Sequence, residues 1–191
     1  MELQSHRLVQ SGFTAFELLI VMLIVGILAA VGTSSFKYVT ASNRISTEIN
    51  ALLGDMRYAR TEAVREGLPV TVCASADGAT CSKSSASWQS GWLVFSDPTG
   101  NQTVASATAI LRVQHALSTS FNNSTDVFAV DNGIYAATFN RQGFGASIPV
   151  TTNTVTMALR TQPENLSWTR CLAITAVGQL TVQKDATGNC T

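Results

Sequence analysis

Neither charge is in surplus in this sequence: twelve Lys and Arg stand against twelve Asp and Glu, so net charge demands neither a polyanionic nor a polycationic partner. The balance holds beyond Gly67, where Lys83, Arg112, Arg141, Arg160, Arg170 and Lys184 are matched by Asp77, Asp97, Asp126, Asp131, Glu164 and Asp185. A nucleic-acid site would have to be a local patch gathered by folding, and DNA is not the favoured partner. Histidine is almost missing. His115 is the only one after residue 12, and its strand-like surroundings offer no Ser-His-Asp arrangement. Cysteine is limited to Cys73, Cys81, Cys171 and Cys190, with none of the close CxxC pairs that tetrahedral zinc uses. Phosphate-binding loops of the Walker type are lacking, and "RQGFGAS" at Arg141 reads as a turn with no helix behind it. "DPTGNQT" at Asp97 has a single carboxylate and lacks the bidentate acid of a calcium loop, so it too reads as a turn. Trp88, Trp92 and Trp168 read as core aromatics of a small sheet. The expectation is a non-enzyme with no metal and no cofactor.

What is present begins with an absence of another kind. Charge is only 13% of the chain, and from Leu18 to Phe36 there is none. At about 1.5 Å per residue those nineteen residues make a helix of roughly 28 Å, close to the thickness of a bilayer's hydrocarbon. Glu17 precedes this run. A carboxylate at the centre of such a helix costs about 2.5 to 3.5 kcal/mol, and at its amino-terminal end the cost is smaller because the side chain can snorkel. After Lys37 the apolar run gives way to an amphipathic pattern. Ile45, Ile49, Leu52, Leu53, Met56, Ala59, Ala63 and Val64 follow the three-and-four spacing of one helical stripe. Arg44, Glu48, Asp55, Arg57, Arg60, Glu62, Arg65 and Glu66 fall on the other faces. Gly67 and Pro69 end it. The pattern predicts one helix from Phe13 to about Glu66.

The remainder reads as β. "LPVTVCA", "GWLVFSD", "AILRVQH", "DVFAV", "IYAATFN", "TVTMAL", "RCLAIT" and "LTVQ" are β-branched or apolar runs punctuated by Gly, Asn, Asp and Ser. Two hairpins are expected, one turning at Asp131, Asn132 and Gly133 and one at Gly178. A helix followed by antiparallel strands predicts an α+β domain whose sheet covers the amphipathic stripe. Four cysteines in such a domain predict two disulfides and an oxidising compartment. Three connectivities are open, and Cys73–Cys81 with Cys171–Cys190 is favoured because each closes a short loop rich in Gly, Ser, Ala and Thr.

A short polar leader ending in Gly12, then Phe13, then Glu17, then the apolar run "LLIVMLIVGILAAV", resembles the class III signal of type IV pilins and type II secretion pseudopilins. "ALLGDMRYARTEAVREGLPVTVCAS" with "SWQSGWLVFSDPTGN" is similar to the FimT, FimU and GspH group of minor pilins and pseudopilins. Ser34 departs from the pattern, standing where pilins usually carry a Pro. The resemblance implies a pilin-like fold with a leader over residues 1–12, a hydrophobic transmembrane and assembly helix over 13–36, an amphipathic helix over 37–67 and a β-rich globular domain over 68–191. It also implies cleavage by prepilin peptidase between Gly12 and Phe13, N-methylation of Phe13, and pairing of Glu17 with a positive amino terminus during assembly. The implied setting is the inner membrane, crossed once, with the amino terminus cytoplasmic and the domain periplasmic. Other minor pilins and the major pilin are the implied partners. The leading expectation is a minor pilin that helps start a type IV pilus. A type II secretion pseudopilin is one alternative. A DNA-binding pilin for natural transformation is another, and its contacts would fall among Arg141, Arg160, Arg170 and Lys184.

Overall fold

Ala15–Glu66 form one continuous α-helix, α1, as the uncharged run and the amphipathic stripe together require. The computed structural model describes residues 12–83, 85–117, 126–130, 133–147, 153–161, 164–184 and 190, without the side chains of 31–35, 37–38 and 85–87. The chain divides into two compact units, Met1–Thr40 and Ala41–Thr191, and α1 contributes to both. The helix ends where Gly67 takes a positive φ of 70° and its N–H bonds the Ala63 carbonyl at 3.1 Å.

Among the described residues, eight strands follow: β1 (Val70–Ala74), β2 (Gly91–Ser96), β3 (Ile110–His115), β4 (Asp126–Val130), β5 (Ala136–Phe139), β6 (Thr154–Thr161), β7 (Arg170–Thr175) and β8 (Leu180–Lys184). They make two antiparallel four-stranded sheets, ordered β3-β2-β1-β5 and β4-β6-β7-β8. The second unit thus has the expected α+β, pilin-like character. All eight apolar runs of the sequence are strands. The β7–β8 hairpin forms as expected, with Ile174 opposite Leu180, a Thr175 N–H to Gln179 carbonyl bond of 3.0 Å, and Gly178 at φ +78°.

The other expected hairpin does not form. β4 pairs with β6, and β5 pairs with β1 in the other sheet, so the chain crosses between sheets where a tight reversal was predicted. Gly133 does have a positive φ of 65°; Asp131 and Asn132 lie outside the described residues. The physical reason is burial. β5 is covered on both faces, whereas β4 exposes part of one, and a tight hairpin would have put them on one sheet with the same coverage. Trp88, fully buried, donates its indole N–H to the Ile134 carbonyl at 3.0 Å and fixes the crossing.

One hydrophobic cluster joins the parts. Ile45, Ile49, Leu52, Met56, Ala59 and Ala63 of α1 pack with Val70, Val72, Trp92 and Val94 of the first sheet and with Phe128, Val155, Met157, Leu172 and Ile174 of the second. Three residues of the helix depart in burial from the pattern read in the sequence. Val64, expected on the buried stripe, is 56% exposed. Glu48 and Glu62, expected on the other faces of the helix, do lie beside the stripe but are buried. Val64 lies one residue past Ala63, so it is turned about 100° off the stripe and meets no sheet.

Glu48, Asp55 and Glu62 recur every seven residues, which puts them in one column beside the stripe. Each meets an arginine. Glu48 lies 4.0 Å from Arg44. Asp55 accepts from Arg112 at 3.1 Å and from the Trp92 indole at 2.9 Å, while the Arg112 guanidinium stacks 3.7 Å over the Tyr58 ring. Glu62 accepts from Arg65 Nε at 2.9 Å, and this bond holds the Glu62 carboxyl below the usual range against the opposing effect of burial. Arg44 also forks onto Asp126, the first residue of β4, at 2.6 and 2.7 Å; the Asp126 side chain is wholly buried.

On the opposite flank, Arg60 Nε donates to the Gly143 carbonyl at 2.9 Å, in the turn after β5, and its Nη2 reaches the Val177 carbonyl in the β7–β8 turn. A Cβ on Gly178 would lie 2.0 Å from the Gly143 carbonyl oxygen. Two outcomes follow for the full-length protein in mild detergent, read by urea denaturation. Gly178→Ala loses at least about 2 kcal/mol from backbone strain and the clash together. Asp126→Ala loses about 3 kcal/mol because Arg44 loses its bidentate partner and keeps only Glu48, at 4.0 Å; a loss under about 1 kcal/mol would mark the pair as no stronger than a surface one.

Candidate functional site

The first turn of α1 is built by a local sequence device. Thr14 precedes the helix, its hydroxyl accepts the Glu17 N–H at 3.2 Å, and its carbonyl accepts from Leu18 at 3.2 Å. Thr14 is therefore the N-cap and Glu17 the third helical residue, the T-x-x-E pattern of a capping box. A carboxylate there also faces the positive end of the helix dipole. Sequence reasoning singled out Glu17 and passed over Thr14, although the T-x-x-E spacing was there to be read. Gly12 and Phe13 sit just outside the helix, both exposed.

From Phe13 to Leu28 every large apolar side chain is exposed, Phe13 by 82% and Leu28 by 66%. Contiguous exposed apolar surface of this extent is the mark of an interaction surface. Among the described residues no helix is long and apolar enough to cross a membrane. The uncharged run Leu18–Phe36 includes residues 31–35, whose side chains are outside the described set.

Both disulfides are present, Cys73–Cys81 and Cys171–Cys190, with Cα separations of 5.6 and 5.4 Å. Each lies on the face of its sheet turned away from α1. Cys73 clusters with Leu93, Phe95 and Ala136, and Cys171 clusters with Ala158 and Cys190. The first bridge thus pins the loop after β1 on the outer face of its sheet, and the second buries Cys190 against Ala158 on the outer face of the other. Inside the first loop, Asp77 accepts from the Thr80 hydroxyl at 2.7 Å, from the Ala79 and Thr80 amides at 2.9 and 2.8 Å, and from Ser75 Oγ at 3.0 Å.

The four basic residues weighed as DNA contacts do not share one face. Arg170 and Lys184 are direct cross-strand partners on β7 and β8. Arg160 lies on β6 beside Leu159, which pairs with Arg170, so its side chain leaves the opposite face of the sheet; it pairs with Glu164 at 3.4 Å. Arg141 is in the turn after β5. His115 ends β3 opposite Gly91 and is exposed. Asp97 is buried and accepts from Thr71 Oγ1 and the Gln102 amide, which makes its loop a capped turn. Trp88 and Trp92 are fully buried, and Trp168 is partly so. Among the described residues no cluster of three or more His, Cys, Asp or Glu could hold a metal ion.

A long helix carrying an exposed apolar half, with its other half packed on antiparallel sheets, defines a pilin-like protein. Two crystal forms of the type IV minor pilin FimU from Pseudomonas aeruginosa (strain PAO1) share this fold. One aligns at 18% identity over 78% of this chain and 96% of FimU with a TM-score of 0.56; the other aligns at 18% over 76% and 99% with a TM-score of 0.53. No curated protein matches the chain. The family model described as "Type II transport protein GspH" matches residues 48–178, well over half of the chain, and the protein belongs to that family.

The Asp77 turn has a pH signature. The Thr80 hydroxyl, followed by the two backbone amides, lowers the Asp77 carboxyl well below its ordinary 3.8. A depressed carboxyl stabilises the fold above its unfolded value and loses that contribution as pH falls toward the folded one. Asp77→Ala therefore lowers the melting temperature at pH 7, and the gap to wild type closes progressively as pH drops below about 4. A gap that stays constant down to pH 2 would assign the effect to packing alone.

Proposed function

We propose that this protein is a minor pilin of a type IV pilus: a structural subunit, anchored in the inner membrane by the first half of α1, that contributes to starting the filament. The observation that carries the proposal is the exposed apolar surface of α1 beginning at a capped Thr14–Glu17 turn. Such a surface calls for an apolar surrounding, and a bundle of the corresponding helices of other pilins would supply one after the protein leaves the lipid. Membership in the GspH family supports assembly with other pilins in a pilus or pseudopilus. Prepilin peptidase would cut between Gly12 and Phe13, where a residue without a side chain meets an exposed, non-helical backbone, and Phe13 would then be N-methylated.

Glu17 has the central chemical role in this reading. Its carboxylate and the amino terminus of a neighbouring Phe13 would each be costly alone in a bundle core and would stabilise one another when paired. A second reading, a subunit of the type II secretion pseudopilus, is favoured by the description of the matching family. The paired cysteines speak for the pilus, because pseudopilins as a family depend less on disulfides. Recovery in sheared pili separates the two.

Intact-mass measurement of the membrane-extracted protein is expected to give a chain beginning at methylated Phe13; a different start would end the pilin reading. Glu17→Val is expected to leave membrane insertion intact while cutting recovery in sheared filaments about tenfold or more. Equal recovery of mutant and wild type would remove the pairing role.

A further inference from the structure

Two cations stand side by side at one end of the second sheet. Arg170 opens β7, Lys184 closes β8, and the register makes them direct cross-strand partners. Like charges in that relation repel, and among the described residues neither forms an ion pair. They alternate in step with Leu172, Ile174 and Leu180 of the core cluster, so they leave the sheet on the face that α1 covers.

Arg170 is held by neutral acceptors. One guanidinium nitrogen donates to the Ser167 and Thr169 carbonyls at 3.5 and 3.1 Å, and another donates to Ser42 Oγ on α1 at 3.4 Å. These bonds orient the guanidinium and leave its charge uncompensated. Acids of the surrounding segments are engaged elsewhere: Glu164 pairs at 3.4 Å with Arg160, whose side chain leaves the other face of the sheet, while Asp126 and Glu48 both lie against Arg44. Asp185, next to Lys184, lies outside the described residues. Leu166 adds an apolar element, 44% exposed at the start of the short 3-10 helix Leu166–Trp168 whose Ser167 carbonyl Arg170 holds.

Ser42 sets the level of this pair relative to the apolar run. Phe36 ends the uncharged run, and Lys37 and Tyr38 come next, residue types that anchor at a membrane interface. Ser42 is five residues beyond Lys37, about 7.5 Å of helical rise, and any tilt of the helix lowers that height. The headgroup layer outside the hydrocarbon is about 5 to 8 Å deep, and a charge is felt across about 8 Å at physiological salt. A cation bonded to Ser42 therefore stands at the level of lipid phosphates.

We propose that Arg170 and Lys184 bind the phosphate of an anionic phospholipid in the membrane that holds the first half of α1, with Leu166 set among the headgroups beside them. A phosphate between the two cations removes their repulsion. The five-donor guanidinium retains N–H groups for it, and Lys184 adds a point charge. Lipid is favoured over a soluble anion because an exposed leucine adjoins the cations and the same helix that carries Ser42 carries the apolar run. The proposal rests on the reading of α1 as a membrane anchor and names what the domain touches while the subunit waits in the membrane.

The test reconstitutes the full-length chain in vesicles, with Ser167→Cys carrying an environment-sensitive maleimide dye; Ser167 is exposed, and the native cysteines are in disulfides and do not react. A lipid with a nitroxide on its headgroup reports contact by quenching. Quenching in vesicles containing about a third phosphatidylglycerol is expected to exceed that in pure phosphatidylcholine severalfold, and high salt should erase the excess. Arg170→Gln and Lys184→Gln are each expected to cut the excess about fivefold. Lys184→Gln keeps the fold, because Lys184 has no ion pair to lose, and its melting temperature should be unchanged or higher. Arg141→Gln, in the turn after β5, should leave the excess as it is. Equal quenching in the two vesicle types, or an excess that survives Lys184→Gln, would overturn the contact. An equal dye response to inorganic phosphate or duplex DNA added to phosphatidylcholine vesicles would also overturn it and assign the pair to a soluble anion. Flotation is measured in parallel. A chain that floats with phosphatidylcholine vesicles but shows no anionic excess rejects the headgroup contact and leaves the anchor standing, whereas one that floats only with phosphatidylglycerol supports the contact and counts against the anchor.

Discussion

Covering the stripe from Ile45 to Ala63 is the constraint on which the rest of the second unit depends. A helix in water draws little stability from its own hydrogen bonds, and most of what it has comes from packing an apolar face. Here that face is shared. Both sheets contribute to the one cluster around Ile45, Ile49, Leu52 and Met56, and each fully buried side chain of this size is worth about 1.5 to 3 kcal/mol. Removing the helix would leave the inner faces of two sheets in water, so neither sheet is stable without it. The disulfides act on the remaining problem, the outer faces, where Cys73 fastens the loop after β1 and Cys171 fastens Cys190 on sides of the sheets that α1 does not cover.

Polar groups set how the sheets meet the helix. The column Glu48, Asp55, Glu62 runs along one flank of the stripe with its arginines, and Arg60 gathers two turns on the other. Apolar packing tolerates small rotations of a helix over a sheet, whereas hydrogen bonds at 2.6 to 3.1 Å do not. Arg44 with Asp126 and Arg60 with Gly143 therefore fix the helix against both sheets, and Gly178 is needed because the β7–β8 turn passes too close to the Gly143 carbonyl for any side chain.

The first unit follows a different logic. Among the described residues, its large apolar side chains from Phe13 to Leu28 are exposed, and the cap at Thr14 satisfies the Glu17 amide. Glu17 is thus explained twice, as the third residue of a capped helix and as the proposed partner of an amino terminus. The two roles are compatible, because the cap uses the backbone N–H of Glu17 and leaves the carboxylate available for pairing. FimU, at 18% identity, supports the fold only, and the filament in which such a surface would be buried is a matter of the proposed function.

What the sequence determined by itself is whatever depends on neighbours along the chain. Periodicity placed one helix from the apolar run to Gly67, alternation and turn residues placed all eight strands, and loop composition favoured the two short disulfide pairings. Glu48, Glu62, Val64 and the Asp131–Gly133 turn show where this stops. Whether a flank residue is buried depends on which strand lies beside it, and a glutamate at the stripe's edge becomes buried when an arginine reaches it. The same turn residues serve a hairpin or a crossing between sheets. Tertiary structure alone decided between them, because β5 could bury both its faces only beside β1, and that choice is made by contacts more than sixty residues apart in the chain.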